Sequence, residues 1–241
     1  MADIFRVYEL RTTDLDAARR FHAAVLGVDL GAAGGSLALA PLPARAVARG
    51  APPHWLGHID VPDVEASAGR LLALGAQTLG PIARTADGSV RAALRDPFGA
   101  VMALRSTSTT PPPAGPSPVA WHQLHVPDSE RALAVYGELF GWTATGTMDL
   151  GGHLGAHLTF SWDGSRAHAG SVASTVGRPE VHPQWAFYFG VDDLAATLAS
   201  VREHGGTALP PLRLPTGETV AYCHDPQGAV FGLHQVAAPA A

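Results

Sequence analysis

The sequence is poor in cysteine and in positive charge. Cys223 is the only cysteine among 241 residues, which excludes an intrachain disulfide and a zinc site built from several cysteines. Lys and Arg total 16 against 21 Asp and Glu, and the formal net charge is -5 with histidine neutral. Because contacts to phosphate need a basic surface, this balance argues against a nucleic-acid partner.

A long apolar run is also lacking. The least polar stretch, residues 23–44, contains Asp29, two prolines and several glycines, so we reject it as a membrane span. The first ten residues have no basic region followed by an apolar one, so they do not resemble an export signal. These features predict a cytoplasmic protein without a membrane partner, and the 46% of apolar residues predicts a sizeable core.

The chain contains one plan four times: an extended apolar run, an aspartate, a helical stretch and a glycine. The four aspartates are Asp14, Asp63, Asp128 and Asp193, and the four glycines are Gly27, Gly75, Gly141 and Gly205. Each aspartate is placed to accept free N–H groups at the start of a helix, and each glycine to end that helix with a positive φ. We therefore predict a strand followed by a capped helix in every module.

Two similar motifs show that the modules form two halves. Asp-Pro-Phe-Gly at 96–99 returns as Asp-Pro-Gln-Gly at 225–228. This motif predicts a tight turn between two strands, because proline fixes φ and glycine accepts a positive φ. The first module has too few residues for a full set of strands, so we expect it to lack about one hairpin.

A stretch rich in Pro, Ser and Thr at 106–118 separates the halves and predicts a semi-rigid spacer. We therefore place one domain at 1–105 and a second at 119–236. Residues 237–241 are expected to be a frayed tail.

Each module is predicted to be a βαβββ unit, so the fold class is α+β, with four modules paired in tandem. The features that carry a family likeness are the segment 121–142, WHQLHVPDSERALAVYGELFGW, and the segments RDPFGAVMAL at 95–104 and HDPQGAVFGLHQ at 224–235. They resemble the vicinal-oxygen-chelate superfamily of glyoxalase I, bleomycin-resistance proteins and extradiol dioxygenases. Within it, the chain resembles two-domain glyoxalase-like proteins of high-GC bacteria. The resemblance implies a curved sheet around a cleft in each domain.

The resemblance also implies a divalent metal held by histidine and glutamate from facing strands, and the sequence lacks these ligands. The positions it assigns to the first-strand ligand carry Val7, Leu56, Trp121 and Ala186. The positions it assigns to the last-strand glutamate carry Ala103 and Gly232. Aliphatic and aromatic side chains offer a metal no donor atom. We therefore expect no metal and no other cofactor, and we keep a displaced metal site as the alternative.

Polar residues nevertheless recur on strand faces that should be apolar. Residues two apart on a strand share a face, which groups the polar positions with the expected ligand positions. In the first half the candidates are Glu9, Arg11, His58, Asp60 and Arg105. In the second half they are Trp121, Gln123, His125, Tyr188 and His234. We expect these residues to bind a ligand.

Two interpretations of this polar set stay open. In the first, the residues anchor a ligand, and Glu9 faces His58 across a cleft as an acid/base pair or a displaced metal site. In the second, the residues line a wet groove or hydrogen-bond to one another. Two other groups are expected to be inert: His153 and His157 as exposed imidazoles, and Cys223 as a buried thiol.

The expected function is binding of a small organic molecule in a cleft without a metal, in the manner of bleomycin resistance. The alternative is a glyoxalase-like lyase, isomerase or dioxygenase that uses Glu9 and His58, and a purely structural or regulatory role is the third option. We expect a neutral or weakly anionic aromatic or polyketide-like ligand, with Arg11 or Arg105 as partners of a carboxylate. Because two domains in one chain imitate a dimer, the protein is expected to be a monomer or a homodimer.

Overall fold

The computed structural model describes residues 3–32, 35–85, 88–106, 117–165 and 168–235. Most of the predicted spacer, at 107–116, and the predicted tail at 237–241 lie outside the described residues. The described chain is a mixture of helices and strands, which confirms the α+β class. None of its helices is both long enough and apolar enough to span a bilayer.

The first module is shorter than the others, as its spacing predicts. Its elements are β1 (Phe5–Thr12), α1 (Leu15–Leu26), β2 (Leu37–Pro41) and the single-turn α2 (Ala44–Val47). Strand β2 pairs with β1 in parallel, so helix α1 connects two neighbouring strands of one sheet.

The other three modules each have a strand, a helix and a group of mainly antiparallel strands. The second consists of β3 (His54–Val61), α3 (Val64–Ala73), β4 (Gln77–Thr78), β5 (Ala83–Arg84), β6 (Val90–Arg95) and β7 (Val101–Ser106). The third consists of β8 (Val119–Val126), α4 (Ser129–Phe140), β9 (Thr143–Asp149), β10 (Ala156–Ser161) and β11 (Gly170–Ser174). The fourth consists of β12 (Gln184–Gly190), α5 (Leu194–Glu203), β13 (Thr207–Ala208), β14 (Leu212–Arg213), β15 (Thr219–His224) and β16 (Val230–Gln235).

The four repeated aspartates cap the four long helices. Each carboxylate accepts a hydrogen bond from the backbone N–H three residues on, at 2.9 to 3.0 Å. Gly27 and Gly141 end α1 and α4 with φ values of 66° and 79°. The helices therefore begin and end where the repeat predicts them, because unpaired N–H groups need an acceptor and a left-handed C-terminus suits glycine.

The two Asp-Pro-x-Gly motifs form the predicted hairpin turns, β6 to β7 and β15 to β16. Asp96 Oδ1 accepts hydrogen bonds from the N–H groups of Phe98 and Ala100 at 2.9 and 2.8 Å. Asp225 Oδ1 makes the same pair of bonds in the second turn. The aspartate therefore holds each turn closed, in addition to the backbone preferences of proline and glycine.

The chain divides into two compact units, and each draws on both halves of the sequence. Unit 1 comprises the described residues within Met1–Val7, Leu56–Pro112 and His122–Trp185. Unit 2 comprises those within Tyr8–Trp55, Pro113–Trp121 and Ala186–Ala241. This division differs from the predicted sequence domains at 1–105 and 119–236, which stay a prediction.

Unit 1 contains two runs of paired strands, β3-β7-β6-β4 and β8-β11-β10-β9. The helix side of these strands packs an aromatic cluster around Trp142, whose ring lies 4.6 Å from Trp162 and 5.0 Å from Phe160 between centroids. Tyr136 of α4 joins this cluster and donates a hydrogen bond to Asp96 Oδ2 at 2.9 Å. The repeated aromatic residues are thus core residues, as predicted.

Unit 2 contains the pair β1-β2 and the run β13-β15-β16-β12. Its core lies between α1, α5 and these strands and includes Phe21, Trp55, Phe189 and Phe231, all buried. His22 is also fully buried there, with Nε2 3.6 Å from Asp225 Oδ2.

Candidate functional site

One face of the β8-β11-β10 sheet in unit 1 is buried yet polar. Residues opposite one another on paired strands point to the same side of a sheet. The register of the three strands brings five polar side chains to one side, each 6% exposed or less. We call this set the histidine face, and its members are Gln123, His125, His157, Thr159 and Ser171.

The histidine face has spare hydrogen-bonding capacity. Gln123 Nε2 donates to His157 Nδ1 at 3.0 Å, which leaves Nε2 as the protonated nitrogen of a neutral His157 ring. Within the described part of the chain, His157 Nε2 meets no hydrogen-bond partner at close range, although the Leu154 backbone lies near enough to raise the pKa of the ring slightly against the effect of burial. Ser161 Oγ, on the same side of β10 as His157, is also buried without one among the described residues. Buried polar atoms are usually paired, so these two atoms could accept or donate a further hydrogen bond.

Arg178 is a charged residue close to the histidine face. Its side chain is buried, and the guanidinium donates to the carbonyl oxygen of Ser174 at the end of β11. Burial, with a further contribution from the positive charge of Arg178, lowers the pKa of His125 to about 3 and that of His157 to about 4. Both imidazoles are therefore neutral near pH 7 and can act as donors or acceptors of hydrogen bonds.

The β3-β7 strands of unit 1 hold three predicted site residues. Asp60 lies opposite Arg105, whose Nε and Nη2 donate to both carboxylate oxygens at 2.8 and 2.9 Å. His58 lies opposite Ala103 and is buried. The guanidinium that was expected to bind a ligand carboxylate therefore binds one from its own chain.

Unit 2 holds the remaining candidates. Arg11 Nε donates to Glu9 Oε1 at 2.7 Å, so this arginine also has an internal partner. His234 is buried, with Nε2 3.5 Å from Glu218 Oε2, and its ring centroid lies 6.3 Å from that of Trp121. Trp121 and His234 are thus brought together, as expected for residues of one face.

Tyr188 occupies the space next to the glycine that replaces the expected metal ligand. It lies opposite Gly232 on the paired strand, and a Cβ atom on Gly232 would be only 2.2 Å from Tyr188 Cδ1. The Tyr188 ring packs edge-on against Tyr222 at 5.4 Å, and burial raises the pKa of its hydroxyl well above the usual value. A longer side chain at 232 cannot be accommodated unless Tyr188 moves.

The residues at the positions that the family resemblance assigns to a metal do not fit one. Leu56 and Ala103 are buried and apolar, and the Tyr188 ring fills the space beside Gly232. Over the described residues, no group of three or more His, Cys, Asp or Glu side chains could hold a metal ion. This donor set does not match the nitrogen and carboxylate ligands that a divalent transition metal needs.

One predicted pair stays untested, and one prediction is corrected. Glu9 belongs to unit 2 and His58 to unit 1, and their joint action as an acid/base pair stays a prediction. His153 is exposed as expected, but His157 is only 2% exposed, so the prediction of an exposed imidazole is wrong there. The cause is β10, which turns His157 towards Gln123. Cys223 is buried, and burial raises its pKa to about 12, as expected for an inert thiol.

Sequence reasoning missed Arg178, His157, Thr159 and Ser171. The last three alternate along β10 and β11, so the period of two could have revealed a shared face had these strands been aligned with β8. Arg178 lies outside regular structure, where no periodic signal exists.

The tandem strand–helix–strand modules place the chain in the class of glyoxalase-like proteins. Family models agree: residues 8–104 match the glyoxalase-like domain, and residues 119–233 match the glyoxalase/bleomycin resistance protein/dioxygenase superfamily. The chain therefore belongs to this superfamily, which is also called the vicinal-oxygen-chelate superfamily.

Named proteins are similar to this chain in sequence or in fold. The Mycobacterium tuberculosis protein named "Putative glyoxylase CFP32" is 28% identical over 93% of this chain and 92% of its own length. The Streptomyces peucetius "Anthracycline biosynthesis protein DnrV" is 32% identical over 49% of this chain and 46% of its own length. Among solved structures, the Mn(II)-bound glyoxalase of Novosphingobium aromaticivorans superposes with a TM-score of 0.64 at 13% identity, over 98% of this chain and 83% of its own. At this identity the similarity concerns the fold alone.

Proposed function

We propose that the protein binds a small organic molecule on the histidine face of unit 1 and does so without a divalent metal. The observation that carries the proposal is a buried polar surface with unused hydrogen-bonding atoms on His157 and Ser161. A surface of this kind is costly in a folded protein unless another molecule completes its hydrogen bonds.

The chemistry of the face favours a ligand with hydroxyl or carbonyl groups on an apolar frame. A neutral His157 donates from Nε2, and Thr159 and Ser161 contribute hydroxyls that donate or accept. The name of the Streptomyces relative refers to anthracycline biosynthesis, and anthracyclines carry hydroxyl and carbonyl groups on fused aromatic rings. We therefore propose an aromatic, oxygen-substituted ligand.

Titration with alizarin, a dihydroxyanthraquinone, tests the proposal. Wild-type protein is expected to bind alizarin with the same affinity before and after dialysis against EDTA, and added Mn²⁺, Fe²⁺ or Zn²⁺ should not tighten binding. The variant His157→Gln should bind about tenfold more weakly, because one buried hydrogen bond to the ligand is worth about 1.4 kcal/mol. The exposed His153→Gln is the matched control and should bind as wild type does.

Two results would contradict this function. Binding that disappears with EDTA and returns with one metal ion would mean that a metal mediates it. Equal binding by the His157→Gln and His153→Gln variants would place the ligand elsewhere. Turnover of a substrate that is lost in His58→Ala would favour the alternative, an enzyme of the lyase, isomerase or dioxygenase type that uses Glu9 and His58.

A further inference from the structure

Arg178 is a buried cation whose charge no acid of the described residues balances. The residue is 7% exposed and follows a turn in which its N–H donates to the Thr175 carbonyl. Its guanidinium donates to the Ser174 carbonyl. Within the described ranges, no carboxylate lies within ion-pair distance of it. A guanidinium has five N–H donors, so most of its capacity is unused.

Two other arginines of the chain show how such a charge is normally balanced. Arg105 is bound through two nitrogens to Asp60, and Arg11 through Nε to Glu9. Both are more exposed to solvent than Arg178 is. Arg178 is therefore the most buried of these three arginines, and the described chain supplies no counter-ion for it.

The cost of this arrangement is large because arginine cannot discard its proton. A buried lysine or histidine escapes the cost of desolvation by becoming neutral, whereas a guanidinium stays charged. An anion bound beside the guanidinium would offset this cost, and violations of this kind are typical of functional sites.

The neighbours of Arg178 indicate a monovalent anion. Arg178 donates to the carbonyl oxygen of Ser174, and the preceding residue of β11, Ala173, lies opposite both His125 and His157. Burial keeps both rings neutral near pH 7. The site therefore offers one positive charge and several neutral donors. A phosphate dianion would call for at least a second cation, whereas a carboxylate or an ionised phenol carries the single charge that one arginine balances.

We propose that Arg178 is the counter-ion for a carboxylate or phenolate group of the molecule that binds on the histidine face. This inference rests on the proposed function and adds the charge of the ligand and the residue that recognises it. Arg178 takes the role that the sequence assigned to Arg11 or Arg105, both of which are occupied by acids of the chain itself.

The test uses two probes of the same shape and different charge, 1-naphthoate and 1-naphthamide, at pH 7.5. Wild-type protein is expected to bind the naphthoate at least tenfold more tightly than the naphthamide. In Arg178→Met this preference should vanish, because binding of the naphthoate weakens more than binding of the naphthamide, and Arg178→Lys should retain part of it. The exposed Arg213→Gln is the control for a general change in net charge and should keep the full preference.

Thermal unfolding without any probe gives a second readout. Because the charge of Arg178 is uncompensated in the free protein, Arg178→Met is expected to unfold at the same temperature as wild type or at a higher one. A fall of several degrees would show that Arg178 is a structural residue and would overturn the inference.

The binding results also separate the two proposals. Equal affinity for both probes in wild type, or a preference that survives in Arg178→Met, overturns the role of Arg178. If alizarin binds but neither naphthalene probe does, the result counts against the role of Arg178 and not against the proposed function. Failure of all three compounds to bind contradicts the proposed function as well.

Discussion

Single residues of this chain determine which side chains and ligands fit at a given position of the fold. Gly232 is the clearest case, because it stands at a position that the family resemblance assigns to a metal-binding glutamate. The absent side chain leaves room for Tyr188, whose ring would be 2.2 Å from a Cβ atom at 232. An aromatic ring and a glycine therefore pack together at this position, on two strands that stay paired.

Adding one methyl group at this position is expected to be costly. Gly232→Ala forces Tyr188 to move and should lower the free energy of unfolding by about 1–3 kcal/mol, as overpacking does in other cores. In Gly190→Ala, the matched control, the nearest atom to the new Cβ lies 3.6 Å away, so little change is expected. Urea unfolding of both variants measures the difference, and equal stability would show that Tyr188 adapts freely.

Protonation of a single histidine, His157, predicts how the free energy of unfolding depends on pH. The pKa of His157 is about 4 in the folded protein and 6.5 in an unfolded chain. Between these values the unfolded chain binds more protons, so the free energy of unfolding falls as the pH falls from 6.5 towards 4. Replacement by glutamine should flatten this fall by at most about 1.4 kcal/mol per pH unit.

Chemical unfolding at several pH values between 4 and 7 checks this expectation. His125 and Arg178 stay in place in His157→Gln, so some slope is expected to remain. His153→Gln is the exposed control and should follow the wild-type curve. An unchanged slope in His157→Gln would mean that this imidazole is already accessible to protons in the folded state.

At the scale of elements, the aspartate caps explain why the helices begin where they do. Asp128 Oδ1 accepts from the Arg131 N–H at 3.0 Å, and α4 then carries Tyr136 to its hydrogen bond with Asp96 in the β6–β7 turn. The cap of one module and the turn of another therefore support the same part of unit 1.

Removal of the α4 cap gives a prediction at this scale. Asp128→Ala should lower the free energy of unfolding by about 1 kcal/mol, because the first turn of α4 loses its acceptor. Glu130→Ala changes an exposed acidic residue in the same turn that does not cap the helix, so it should cost much less. Equal losses in the two variants would mean that charge near the helix N-terminus, rather than the capping hydrogen bond, supplies the stability.

At the scale of the whole molecule, much of the architecture is predictable from the chain. Four modules, capped helices, two Asp-Pro-x-Gly hairpins and a shortened first module follow from local patterns. The composition of the compact units does not follow from local patterns, because each unit joins modules that are far apart in sequence. Hydrophobic periodicity predicts which face of a strand is buried, but it does not predict which module packs against that face.

The candidate site shows the same limit. The sequence identified Gln123 and His125, since both alternate on the strand that carries the family motif. It missed His157, which only the register of β8, β11 and β10 brings within 3.0 Å of Gln123. It also favoured Arg11 and Arg105 as anion partners, because a sequence does not reveal that an acid of the same chain already binds them.

The sequence by itself determined the fold class and the absence of family ligands at their expected positions, since caps, turns and residue identities are local properties of the chain. The tertiary structure alone decided which polar side chains share a buried face and that the buried Arg178 has no acid partner among the described residues. Those relations depend on strand register and on pairing between distant segments, and both are set by packing of the whole unit rather than by any local run of residues.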